Sequence, residues 1–171
     1  MHETPDDLER LQEVLDTSLA NSGTHIRSAF SQDNRPTARE LVDSLPGLFE
    51  MHLAVIAGDG APLVAPVDGF LLRGWICLGL PPQSVRASLV RRDPRVSASY
   101  IGTTASFIVH GSFVEIDDEH PDLDLYKDSA RALYVAEYGS WFDSYLTQKW
   151  ETEGRGTVGV IEPRKLFAKR E

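Results

Sequence analysis

The chain opens in helical spacing and then changes period. Leu8, Leu11, Leu15 and Leu19 recur at steps of three and four, one apolar stripe along residues 4–19. Thr4 is placed to cap that helix, Pro5 suits its first position, and Asp7 completes a capping-box pattern. The polar stretch 21–34 reads as loop. A second helix starts at Thr37 with Glu40 as its capping acid; Leu41, Val42 and Leu45 supply an apolar face, and Pro46-Gly47 stops it. Strand patterns follow. Met51 to Ala57 is nearly continuous apolar sequence, Gly58-Asp59-Gly60 signals a hairpin, and Pro62 to Leu72 returns. Arg73-Gly74 turns the chain into Trp75 to Leu80. A short helix after Ser84 ends at Asp93-Pro94, and Val96, Ala98 and Tyr100 then share one face of a strand running to Ile101.

Ala105 to Ile116 reads as a long strand with Gly111 where it would bend or bulge. Residues 123–138 and a segment opened by Ser140 with Asp143 are helical. On the second of these, Phe142, Leu146 and Trp150 make one stripe while Trp141 and Tyr145 make another. Thr157 to Ile161 is the last strand, with Pro163 ending it or placing it at an edge. Six strands in hairpin spacing, with a short inserted helix and helices at both ends, predict a mainly β (α+β) chain. The expected architecture is a closed or partly open six-stranded antiparallel barrel over residues 49–171, preceded by a helical extension over residues 1–48.

Composition narrows the function more than the fold. The 171 residues suit one compact domain, with 17 basic against 26 acidic side chains and a formal net charge of -9. That balance argues against nucleic acid as a partner. Seven acids lie between Glu115 and Asp128 with only Lys127 opposing them, and the segment reads as a solvated connector. Cys77, the single cysteine, sits in the apolar run WICLGL and reads as a structural thiol. No apolar run approaches the ~20 residues that span a bilayer, and no secretory pattern opens the chain. A soluble, cytoplasmic protein with no membrane partner is expected. The five histidines show no metal-ligand spacing, and no metal is expected.

The chemistry concentrates in SVRASLVRRDPRV, Ser84 to Val96. Ser84 at the cap of a short helix, following a strand and a Pro-Pro step, leaves the amides of the first turn available to an anion. Arg86 in that turn adds forked donors suited to phosphate oxygens. The segment is a candidate phosphate cradle; equally, the same residues fit an exposed helix whose arginines keep it soluble.

In element order and in four sequence segments the chain resembles the flavin-binding split-barrel family named after pyridoxamine 5'-phosphate oxidase. The segments are LAVIAGDGAPLVAPV (Leu53 to Val67), Ser84-x-Arg86 with its exit RRDPRV, VHGSFVEI (Val109 to Ile116) and GVIEPRKLFA (Gly159 to Ala168). Together they span roughly residues 50–168. The resemblance implies that Ser84 and Arg86 hold the phosphate of FMN. It also implies that Pro66, Val67 and Asp68 lie along the isoalloxazine edge and that Leu78, Gly79 and Leu80 give backbone contacts. It further implies a homodimer with cofactors at the interface, where the aromatic helix from Trp141 forms the partner's wall. Leu80 departs from a position that often carries a hydroxyl, and Asp68-Gly69 from a bulky aromatic pair. The substrate-phosphate residues of true pyridoxamine phosphate oxidases are not found in register. The expected activity is hydride transfer to or from a small conjugated substrate, with no catalytic side chain assigned. A deazaflavin coenzyme bound beside Arg91, Arg92 and Arg95 is the alternative cofactor, and a non-enzymatic flavin- or haem-binding protein or a barrel without ligand are the remaining readings.

Overall fold

The computed structural model describes residues 3–31, 33–153 and 156–171; the side chains of Trp150 and Glu153 lie outside the description. Three helices lead in. In α1 (Pro5–Ala20) both halves of the capping box form: Thr4 Oγ1 accepts from Asp7 N–H, and Asp7 accepts from Thr4 N–H. Burial pushes the Asp7 pKa up, but the Thr4 bonds and Arg10 outweigh it and hold the carboxyl below its ordinary value. The expected loop 21–34 contains a further short helix, α2 (Thr24–Ala29). It carries no buried residue and no side-chain cap, so neither signal used to recognise helices was present. In α3 (Ala38–Ser44) Thr37 and Glu40 form the second capping box.

The strands are β1 (Phe49–Ile56), β2 (Pro62–Leu72), β3 (Trp75–Leu80), β4 (Arg95–Ile101), β5 (Ala105–Glu115) and β6 (Thr157–Arg170), with α4 (Val85–Arg92) inserted after β3. They close in the order β1-β2-β3-β6-β5-β4, every pairing antiparallel. Alternation fills the interior: Phe49, Met51, Leu53 and Val55 of β1 point inward, as do Ile76, Leu78 and Leu80 of β3 and Phe107 and Val109 of β5. Leu11, Leu15, Leu41 and Val42 join the same core from the leading helices. Closure leaves no long free edge on a sheet of short strands.

The remaining helices, α5 (Leu123–Tyr138) and α6 (Trp141–Glu153), lie between β5 and β6 in the chain. Leu123 and Tyr126 of α5 cover a second cluster outside the barrel with Phe70, Leu72, Cys77 and Val160. The run WICLGL is therefore apolar on both faces because both are covered. Burial pushes the Cys77 thiol well above its ordinary pKa, the condition of an inert structural cysteine.

The last strand corrects the sequence expectation. Pro163 neither ends β6 nor lies at an edge; the strand runs on to Arg170. Its partner β5 pairs His110 with Lys165 and Gly111 with Pro163, so Arg164 is an extra residue in a bulge. Interrupted pairing there tolerates a residue without an N–H. Gly111 permits the close approach: a Cβ on it would stand 2.0 Å from the Glu162 carbonyl oxygen.

Candidate functional site

Where β2 and β3 part company, the barrel wall opens. Their ladder runs from Leu72 opposite Trp75 to Gly69 opposite Leu78 and stops. The next register pairs, Asp68 with Gly79 and Val67 with Leu80, do not form. Beyond that point Pro66, Val67 and Asp68 pair only with β1, at His52, Met51 and Glu50, while Gly79 and Leu80 pair only with β6. The split thus brings the two predicted strand segments to opposite lips of one opening. Five residues past Leu80, the chain starts α4.

Side chains on these lips divide by alternation. Val67, Leu78 and Leu80 point into the core, so they can offer a ligand only backbone. Leu80 therefore occupies an interior position that gains from being apolar; a hydroxyl there would be buried. Pro66 and Gly79 are exposed, and nothing lies within 4 Å of where a Gly79 Cβ would be. Asp68 is half-buried and accepts from the Tyr134 hydroxyl of α5 at 3.0 Å. Burial pushes the Tyr134 pKa up, and the adjacent Asp68 charge and hydrogen bond push it further, so this phenol stays a donor.

At the start of α4, Ser84 Oγ accepts from Ala87 N–H at 3.1 Å, the N-cap bond expected of it. Its own proton remains free to donate. The N–H groups of Val85 and Arg86 have no acceptor among the described residues, as first-turn amides generally do not. Arg86 is half-buried, and its Nε is enclosed without a hydrogen-bond partner. An enclosed donor of this kind costs on the order of 1–3 kcal/mol until an acceptor reaches it. The Ser84 hydroxyl, the Val85 and Arg86 amides and the Arg86 Nε are thus donors on one helix start with no acceptor among the described residues.

The three other arginines of this region are engaged. Arg91 Nε and Nη2 grip Glu115 at 2.9 and 2.8 Å, clamping the last turn of α4 to the end of β5. The Arg91 hydrogen bond holds the Glu115 carboxyl below its usual range despite an opposing contribution from burial. Arg92 donates to the Ile56 carbonyl at 3.1 Å, and Arg95 closes on Asp93, whose pKa falls to about 2 through that bond.

Trp141 stands on a different element, 61% exposed. Its ring meets Phe142 edge-on, Phe142 stacks on Tyr134 at 5.1 Å, and Tyr134 holds Asp68. One chain of contacts thus links Trp141 to the β2 lip. Of the two stripes expected on this helix, Trp141, Phe142 and Tyr145 join one ring cluster with Tyr134 and Tyr138 of α5; Trp150 lies outside the described side chains. Tyr134 was not singled out from the sequence, and no local signal marks it: its partner lies 66 residues away.

Neither a protein-family model nor a curated protein matches this sequence. Solved structures do match the fold. A conserved hypothetical protein from Mycobacterium tuberculosis is 21% identical, over 82% of this chain and 88% of that one, with a TM-score of 0.64. A FAD-binding protein from Mesorhizobium loti is 21% identical over 79% and 93%, with a TM-score of 0.56. The haem-storage protein HutZ from Vibrio cholerae is 14% identical over 79% and 94%, with a TM-score of 0.55. Other matches include a putative pyridoxamine 5'-phosphate oxidase and a pyridoxamine 5'-phosphate oxidase-related FMN-binding protein. At these identities the likeness is one of fold. The chain therefore has the split-barrel fold of the pyridoxamine 5'-phosphate oxidase-like flavin-binding proteins.

Proposed function

We propose that this protein binds FMN at the β2–β3 opening and acts as an oxidoreductase on a small conjugated substrate. The observation that carries the reading is the enclosed, unpartnered Nε of Arg86 beside the free amides of the α4 start and the donor-capable Ser84. These donor types suit a terminal phosphate: a guanidinium, a hydroxyl and first-turn backbone N–H groups on one helix start. Pro66, Val67 and Asp68 on one lip, with Gly79 on the other, would receive the ring system along exposed backbone. When bound, the flavin supplies the hydride chemistry, and this chain's residues bind and orient it.

Water exclusion falls to aromatic side chains. Tyr138, Trp141 and Tyr145 are all exposed on the α5–α6 pair. In the proposed homodimer, two copies pair so that this aromatic patch shields the neighbouring site. FMN is favoured over a deazaflavin with an acidic tail because the cations that would receive that tail are taken: Arg91 by Glu115, Arg92 by a carbonyl, Arg95 by Asp93.

The test is the absorption spectrum of the freshly purified protein, followed by FMN titration and sedimentation equilibrium. Flavin bands or saturable FMN binding to a dimer supports the proposal, and reduction by a nicotinamide nucleotide with reoxidation by a quinone or dye supports the enzymatic part. A Soret band, as a haem-storage protein would give, or no FMN binding at all would overturn it.

A further inference from the structure

A cavity sharing no residue with the α4 cradle lies outside the barrel. It has a volume of about 320 Å³ and forms where α1, the β2–β3 turn, the acidic connector and α5 meet β3 and β6. Its apolar wall is the Trp75 indole with Ile116 and Val160. Across the indole lies the Arg10 guanidinium, 4.8 Å from the ring centre, which donates to Asp7 at 2.9 Å and to the Arg73 carbonyl at 2.6 Å.

The polar lining carries Arg10 and Arg73 with Asp7, Asp122 and Glu162, and some of its donors lack acceptors. Arg73, in the left-handed region at φ 51, has an enclosed Nε with no hydrogen-bond partner. The carboxylate paired with it, Asp122, stands 3.8 Å from its Nη2, too far for a hydrogen bond. Tyr126 is 3% exposed, and among the described residues its hydroxyl has no hydrogen-bond partner. His120 accepts at Nδ1 from the Asp122 N–H at 3.1 Å, which places the proton of the neutral ring on Nε2, a third donor. Of the three acids in the lining, Asp7 is occupied by Thr4 and Arg10, Asp122 pairs with the Arg73 Nη2 and leaves its Nε free, and Glu162 is exposed. One enclosed guanidinium nitrogen and the hydroxyl of a buried phenol, both without acceptors and beside an indole, match an anion carrying an apolar body.

We propose that this cavity binds a small organic carboxylate, its carboxylate on Arg73 and Tyr126 and its apolar body against Trp75 and Val160. The site is independent of the flavin reading and stands or falls without it. Isothermal titration of the full-length protein with benzoate, and with benzylamine as the cation of the same shape, tests it. Benzoate binds saturably and benzylamine at least ~10-fold more weakly, the scale of one charge-assisted hydrogen bond. Tyr126→Phe weakens benzoate by about 10-fold and leaves the thermal midpoint unchanged or higher, because it deletes an oxygen with no protein partner. Arg73→Gln weakens it by at least that factor; should that turn variant fold poorly, Tyr126→Phe alone decides. Saturating FMN leaves benzoate binding intact. Absence of saturable benzoate binding at millimolar concentration, equal binding of benzylamine, unchanged affinity in Tyr126→Phe, or loss of the benzoate signal when FMN is present each overturns the assignment.

Discussion

Replacing Arg86 separates what the residue does for the fold from what it does for a ligand. Arg86→Met keeps most of the aliphatic stem and removes the guanidinium. In the free protein the Nε of Arg86 is enclosed and unpartnered, so the fold carries a penalty of roughly 1–3 kcal/mol that methionine does not incur. Only one of its three nitrogens is enclosed this way, and the residue is half-buried, which puts the expected gain at the low end, about 1 kcal/mol. For a chain of this size that gain raises the thermal midpoint by about 2–4 °C. Binding moves the other way. A charge-assisted hydrogen bond to phosphate contributes about 1.5–3 kcal/mol, so FMN affinity falls roughly 10- to 150-fold. The assay pairs calorimetric unfolding of the apoprotein with fluorescence titration of FMN, in which flavin emission reports binding. A variant that binds FMN like the parent would show that Arg86 is not the anchor. A variant whose apoprotein is destabilised by more than ~1 kcal/mol would show that the guanidinium is a structural group, its donors satisfied within the fold rather than left for a ligand.

Three further outcomes follow from particular contacts. Gly111→Ala forces a Cβ onto the Glu162 carbonyl oxygen; urea unfolding should show a loss of about 1–3 kcal/mol, the cost of overpacking a site with no side chain to yield. Glu115 has its pKa lowered chiefly by the Arg91 hydrogen bond. Its contribution to stability is therefore present above the ordinary carboxylate pKa and lost as pH falls through the depressed folded value. In urea titrations between pH 6 and pH 3, Glu115→Gln should flatten the acid limb, by under ~1 kcal/mol because both partners are partly exposed; an unchanged limb rules out the clamp as a source of acid sensitivity. The Cys77 thiol, raised in pKa by burial, should resist iodoacetamide in the native protein and react at an ordinary thiol rate in urea; rapid native labelling would contradict its burial.

Local rules were enough for much of this protein. Both capping boxes, the Gly58-Asp59-Gly60 hairpin and the Ser84 cap depend on residues within a few positions of one another, where side-chain chemistry acts directly on its own backbone. The shared face of Val96, Ala98 and Tyr100 on β4 likewise needs only the period of a strand. Two local expectations failed for a physical reason: α2 forms without a capping side chain or a buried stripe, and Pro163 is tolerated because a bulge on β6 faces Gly111 from another strand. What only the tertiary structure decided is which donors lack acceptors. Arg91, Arg92 and Arg95 read in sequence as a basic run beside Arg86, yet each finds a partner at a strand end or turn, and Arg86 does not. The parting of β2 from β3, the Tyr134 hold on Asp68 and the Arg73–Tyr126 cavity arise the same way. Hydrogen-bond satisfaction is a property of the space around a group, and that space is filled by residues far away in the chain.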